Sequence, residues 1–199
     1  MTSGTARRAL ASLLALALLG VADADWGAPA AESGLSQLMS ELGRVKHATA
    51  RFIERKYLKM LKAPLVVRGT LEYVAPGRVE KRTLEPRPEA LIVDGDTVVL
   101  EGARGRRTLA LQDNPAVWAF VESIRSTLNG DLGMLERFYE VEFDGESEAW
   151  RLRLAPKDER MSRMVSLILI SGRGDRIESI EIREAQGDRS VMTVLEERR

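Results

Sequence analysis

The 199-residue chain balances 30 Lys and Arg against 30 Asp and Glu, with one His and no Cys. That balance lacks the basic excess that phosphate binding needs, so nucleic acid is not an expected partner. The missing cysteine excludes disulfides, thiolate zinc sites and an acylated cysteine.

The chain opens with the pattern of a secretory signal peptide. Arg7 and Arg8 form its charged start, residues 9–21 its apolar stretch, and Ala22-Asp23-Ala24 its small-x-small cleavage pattern. The apolar run is shorter than the roughly 20 residues of a membrane span. The expected division is a signal peptide over 1–24 and a single domain over 25–199, exported to the periplasm if the cell is Gram-negative and secreted otherwise. Cleavage removes Arg7, Arg8 and Asp23, leaving 28 basic and 29 acidic residues.

Over residues 33–45, Leu35, Leu38, Met39, Leu42 and Val45 recur at helical spacing, so this amphipathic helix must cover an apolar surface. Ala50, Phe52 and Glu54 then alternate with Arg51 and Ile53 in a strand over 48–58. Residues 59–64 break it, and 65–73 form a second strand. Between Gly69 and Val98, apolar Leu71, Tyr73, Val79, Leu84, Leu91, Val93 and Val98 are separated mostly by polar residues. Pro76-Gly77, Glu85-Pro86 and Asp94-Gly95 are the breaks. Asp-Gly between alternating apolar runs predicts a tight hairpin, so this stretch reads as an antiparallel meander.

Residues 102–107 are expected to form a basic turn, after which 108–111 closes a further hairpin. Asp113 or Asn114 then caps a helix carrying Pro115 in its first turn. Val117, Phe120, Val121, Ile124 and Leu128 line its apolar face, and Asn129-Gly130 ends it. A second short helix starts at Asp131 and runs through Leu132, Leu135 and Phe138. Strands return at 141–143, an Asp144-Gly145 turn follows, and 150–154 alternates cleanly. Residues 165–170 are apolar on both faces, the mark of a strand covered on each side. Strands over 177–183 and 190–197 complete the chain. On the order of ten strands around a helical insertion have the spacing of a barrel or sandwich.

Chemistry-bearing patterns are sparse. His47 has no second His or Cys to share a zinc ion, and no Gly-x-Ser-x-Gly elbow is present. Asp94-Gly95-Asp96 lacks the later ligands of a calcium loop, and Gly172-x-Gly174 lacks the third glycine of a nucleotide fingerprint. No catalytic residue, metal or cofactor is expected. Arg104, Arg106 and Arg107 suit either anionic head groups or a solvated turn that keeps an edge soluble. Residues 58–62 suit either a partner-binding loop or a turn with Met60 and Leu61 tucked inward.

The ordered pattern resembles the outer-membrane lipoprotein carrier family of LolA-like periplasmic proteins. A short helix precedes Ala50-x-Phe52; Gly69-x-Leu71-x-Tyr73, Pro76-x-Arg78, Thr83-x-x-Pro86 and Leu91-x-x-Asp94-Gly95-x-x-Val98 follow. Turns at Gly174 and at Gly187-Asp188 close the pattern. The resemblance implies an α+β fold: an incomplete, half antiparallel β-barrel with helices covering its concave apolar face. It also implies a non-enzymatic carrier that holds the acyl chains of lipoproteins, or another lipid cargo, and shuttles between the inner and outer membranes. Its partners would be an inner-membrane donor complex and an outer-membrane acceptor, with the carrier a monomer.

The cavity residues expected on this basis are Phe52, Leu71, Tyr73, Leu91, Val93, Trp118, Phe120, Trp150, Leu152, Leu167 and Leu169. Carriers of the main family have an Arg before the turn proline that ties the lid shut. Ala75 stands there in this chain, which makes Arg78 the candidate latch. The chain also has few aromatics and ends at Arg199, short of the family's C-terminal extension. The alternative on the same scaffold is an envelope sensor or interaction module whose groove takes a protein segment.

Overall fold

A computed structural model describes residues 28–113 and 115–198. The expected signal peptide lies outside them. Helix α1 (Ala28–Leu42) leads into β1 (His47–Tyr57), β2 (Leu65–Val74), β3 (Arg78–Glu85), β4 (Glu89–Asp94), β5 (Thr97–Gly102) and β6 (Gly105–Ala110). A 3-10 turn at Leu111–Asp113 introduces α2 (Pro115–Asn129) and α3 (Leu132–Phe138). Strands β7 (Tyr139–Glu146) and β8 (Ala149–Pro156), the one-turn α4 (Glu159–Ser162), then β9 (Val165–Arg173), β10 (Arg176–Glu184) and β11 (Arg189–Arg198) follow.

All eleven strands join one sheet, in the order β6-β5-β4-β3-β2-β1-β11-β10-β9-β8-β7. Neighbouring strands are antiparallel, and β1 meets β11, so the two ends of the chain's strand set join at the sheet centre. β6 and β7 remain as free edges, so the barrel is not closed. This is the half-barrel α+β fold that the sequence pattern implies.

Turn chemistry explains the hairpins, with a shift of one residue. Asp94 pairs with Thr97 and Arg173 with Arg176, so the two-residue turns are Gly95-Asp96 and Gly174-Asp175. Gly95 and Gly174 have φ of 51° and 52°, where a Cβ is disfavoured. Other boundaries also differ from expectation. Helix α1 stops at Leu42, leaving Val45 outside. The expected basic turn is mostly strand β6, since Gly102 pairs with Gly105. The β7–β8 reversal falls at Ser147-Glu148, three residues beyond Asp144-Gly145. α4 is too short for periodicity to reveal; the Asp158 carboxylate caps it by accepting from the Arg160 and Met161 amides.

The core divides into unequal parts. In the larger part, Leu35, Leu38, Met39 and Leu42 of α1 pack onto Trp150, Leu152 and Leu154 of β8 and onto Ile168 and Ile170 of β9. Leu135, Leu152, Leu154 and Tyr139 are completely buried there. In the smaller part, Val93, Val98, Leu111 and Val121 cluster with Val79. Trp118 touches both parts and meets the Phe138 ring edge to face at 5.1 Å. A third group, Ala90, Ile92 and Val99, lies on the other face of β4 and β5.

Two inward glycines make room for rings. A Cβ on Gly172 would run into the Arg176 carbonyl oxygen and lie 2.6 Å from Trp150 Cζ2, and one on Gly69 would run into the Arg82 carbonyl oxygen and lie 2.9 Å from Phe52 Cε1. Gly172→Ala is therefore expected to cost about 1–3 kcal/mol through overpacking. Urea denaturation followed by Trp150 fluorescence would read it. Burial pushes the Tyr139 phenol above the usual tyrosine range, although a hydrogen bond from Ser123 pulls the other way. The folded state then holds a proton that the unfolded chain has released, so stability should fall as pH rises past about 10. Tyr139→Phe should flatten that fall, as urea titrations at several alkaline pH values would show.

Candidate functional site

Strand register decides which side chains face the helices. Across β2 to β6 one inward row reads Tyr73, Val79, Val93, Val98 and Leu109. The next reads Leu71, Lys81, Leu91, Leu100 and Arg107. Val93 and Val98 lie under Val121 of α2 and are almost fully buried. One step down, cover stops: Leu91 and Leu100 are 39% and 37% exposed. The helices thus seal part of the concave apolar face and leave a shelf of leucines open beside them.

Of the expected cavity residues, Phe52, Leu71, Tyr73, Leu91, Val93, Trp150 and Leu152 face inward, and Trp118 meets them from α2. Leu167 and Leu169 do not. They stand opposite Arg183 and Glu181 on the outer face, and Ile168 and Ile170 take the inward positions against Leu154 and Leu152. A strand apolar on both faces carries no phase, so its alternation cannot reveal which set points inward. The Phe120 side chain lies outside the described part.

A polar clamp joins α2 to two hairpin turns. Arg125 is nearly buried. Its Nε donates to the Gly77 carbonyl at 2.9 Å, its Nη2 donates to the Gly95 carbonyl, and its Nη1 meets Glu122 Oε1 at 2.9 Å. One turn of helix further on, Asn129 Oδ1 accepts from the Tyr73 hydroxyl at 2.6 Å. Asn129 Nδ2 donates to the Pro76 carbonyl, also at 2.6 Å. Burial raises the Tyr73 phenol's pKa, which keeps it a donor. These groups edge an open cleft of about 480 Å³ between the turns and α2–α3.

Arg78, the expected latch, is placed differently. Its guanidinium meets Glu80 Oε2 at 2.7 Å and Asp94 Oδ2 at 3.0 Å, so among the described residues its bonds run within the sheet. It reaches α2 only through the turn it steadies, since Asp94 precedes the Gly95 carbonyl that Arg125 grips. Sequence reasoning passed over Arg125 and Asn129 because their partners are mostly backbone carbonyls, which leave no residue pattern.

The concave face also holds one buried ion pair. Glu54 is 4% exposed, and Lys81 Nζ lies 2.5 Å from its Oε2 and 5.1 Å from the Phe52 ring centroid. Lys56 Nζ lies 3.9 Å from the same oxygen. His47 Nε2 is 3.4 Å from Glu72 Oε1 at a half-exposed position. Among the described residues, no cluster of three His, Cys, Asp or Glu residues is arranged to hold a metal ion.

A family model described as "Outer membrane lipoprotein carrier protein LolA-like" matches residues 27–196. No curated protein matches the chain. Among solved structures it is similar to the LolA superfamily protein NE2245 from Nitrosomonas europaea. That likeness has 13% identity and a TM-score of 0.47, covering 84% of this chain and 92% of that one. A DUF1329 family protein from Desulfovibrio piger shares 11% identity at a TM-score of 0.46, with the same coverage. MucB shares 14% at 0.48, covering 86% of this chain and 59% of its own.

Arg125→Leu should loosen the grip on both turns and cost about 1.5–3 kcal/mol, the range for hydrogen bonds to a charged group. Amide exchange in the C-terminal half of α2 should quicken. Arg78→Leu, acting through Asp94, should give a smaller change at the same amides.

Proposed function

The chain belongs to the LolA-like outer-membrane lipoprotein carrier family, and from that premise we propose that it carries an acylated cargo through the periplasm. The observation that supports this most is the contrast within one concave face. Val93 and Val98 are sealed beneath α2, while Leu91 and Leu100 beside them are left open. An apolar surface of that kind is costly in water and becomes favourable once acyl chains cover it. Each buried CH₂ contributes about 0.8 kcal/mol, so affinity needs length of chain more than polar contacts.

In this reading α2 forms a displaceable lid over the β3–β6 half, and α1 and α3 are permanent parts of the core. Arg125 and Asn129 hold the lid in register over the apolar shelf, with Arg78 bracing the turn that Arg125 grips. Phe52, Leu71, Tyr73, Leu91, Val93 and Trp118 remain the proposed cargo-facing set, whereas Trp150 and Leu152 pack under α1 in the core. Phe120 is proposed with them; Ile168 and Ile170, which hold the inward positions in place of Leu167 and Leu169, belong to the core under α1. The activity is binding and release without chemistry. An inner-membrane donor and an outer-membrane acceptor complete the proposed path, with residues 1–24 directing export and the carrier acting as a monomer.

Protein purified gently from the periplasm should show bound lipid or acylated protein in native mass spectra. Leu91→Asp with Leu100→Asp should remove most of that mass while leaving the fold intact by circular dichroism. A stoichiometric protein segment with no lipid would instead favour a sensor on the same scaffold.

A further inference from the structure

An antiparallel sheet returns alternate connections to the same rim, and the two rims of this one differ sharply. At one rim lie the β1–β2 loop, the β3–β4 loop, the β5–β6 turn and the β8–β9 connection with α4. Six large apolar side chains stand exposed at or beside these connections: Met60 at 85%, Leu84 at 57%, Leu61 at 46%, Met164 at 44%, and Tyr57 and Leu65 at 38% each. Met60 and Leu61 are therefore not tucked inward, as a simple turn would have them. They sit at the tip of the longest hairpin loop between Lys59 and Lys62, and Arg87, Arg104, Arg160 and Arg163 occupy the neighbouring connections. Asp158 and Glu159 lie in these connections and Asp188 in the β10–β11 turn beside Lys59, with Glu85, Glu89 and Glu184 at the flanking strand ends. The connections of the opposite rim instead carry Asp96, Asp113, Asp131, Glu148 and Asp175 against Arg44 and Lys46.

Apolar side chains raised from a basic surface suit a particular partner. A methionine exposed at the tip of a loop has no packing role, and here it stands beside Leu61 between two lysines, an apolar tip rimmed by charge of the kind that marks an interaction site. Lysines on either side can lie along an apolar surface while keeping their ammonium groups at phosphate level. We propose that this rim docks the protein on an anionic lipid bilayer, with Met60 and Leu61 entering the interface and Lys59 and Lys62 meeting lipid phosphates. Leu91 and Leu100, the uncovered inward row, lie on the side of the lid row toward this rim. Docking therefore turns the open shelf toward the membrane. This goes beyond the carrier reading, because a cargo can be held without any contact between carrier and bilayer.

The chain has no cysteine, so Met60→Cys and, at the far rim, Glu148→Cys each offer a single site for an environment-sensitive fluorophore. The probes are vesicles of phosphatidylcholine alone and of equal parts phosphatidylcholine and phosphatidylglycerol, mixed with the protein in its exported form. Label at position 60 should brighten several-fold and shift to the blue on the anionic vesicles only, and label at position 148 should not respond. High salt should weaken the response, because exposed charges are screened. Lys59→Glu with Lys62→Glu should weaken vesicle binding roughly tenfold or more. A silent position 60, an equal response at both positions, or an equal response to neutral vesicles would overturn the proposal. Met60→Asp with Leu61→Asp should lose vesicle contact and keep co-purified lipid, so failure of docking is distinguishable from failure of the carrier reading.

Discussion

One face of an eleven-stranded sheet that does not close on itself must be covered by something other than the sheet. A closed barrel fills its interior with its own side chains; an open one exposes an apolar wall unless other elements lie against it. Here the cover is uneven. Helix α1 and α3 complete the β7–β10 half, where Leu135, Tyr139, Leu152 and Leu154 lose all contact with water. The β3–β6 half receives little more than Leu111, Val121 and Trp118. One sheet is thus a sealed core at one end and a partly open apolar wall at the other, with Trp118 at the join.

The weakly covered half explains why α2 is fixed by directional bonds. Few apolar contacts position a helix loosely, because hydrophobic attraction has no preferred geometry. The Arg125 guanidinium supplies that geometry by taking carbonyls from two separate turns, and Asn129 adds Pro76 and Tyr73. These groups stand at the edge of an open cleft, so water can replace each partner as the helix lifts. Exchange of protein hydrogen bonds for water bonds leaves only a modest net cost. A clamp of this kind sets position when closed and yields without leaving buried groups unpaired.

What could be read from the residues alone depended on whether the signal was periodic. The α1 face of Leu35, Leu38, Met39 and Leu42 and the alternation of Trp150, Leu152 and Leu154 point where their spacing says, because one side of each is polar. β9 defeated the same reasoning: with both faces apolar, only its pairing with β8 fixes Ile168 and Ile170 as inward. Arg78 was chosen for its nearness to Pro76 in sequence. Arg125 lies 48 positions from Gly77, and its carbonyl partners have no residue identity to recognise. Glu54 followed its strand's alternation correctly, yet nothing in β1 announces that Lys81 two strands away will meet it.

That Glu54–Lys81 pair is the least economical feature of the concave wall. Burying a carboxylate costs desolvation that its partner only partly returns, and apolar residues of similar size would often serve stability as well. Its placement has a different consequence. Lys81 shares its row with Leu71, Leu91 and Leu100, and its ammonium lies over Phe52, so charge interrupts the apolar floor just below the sealed rows. Above it the wall suits hydrocarbon alone. Below it, toward the Lys59–Lys62 loop, the wall is polar, carrying Lys56 against the Glu54 carboxylate and Glu89 opposite Thr83. A chain lying on this wall would therefore be oriented, its apolar length under α2 and any polar or anionic end beside the lysines. On the proposed carrier and docking readings, one change from apolar to charged wall would serve both the groove and its rim.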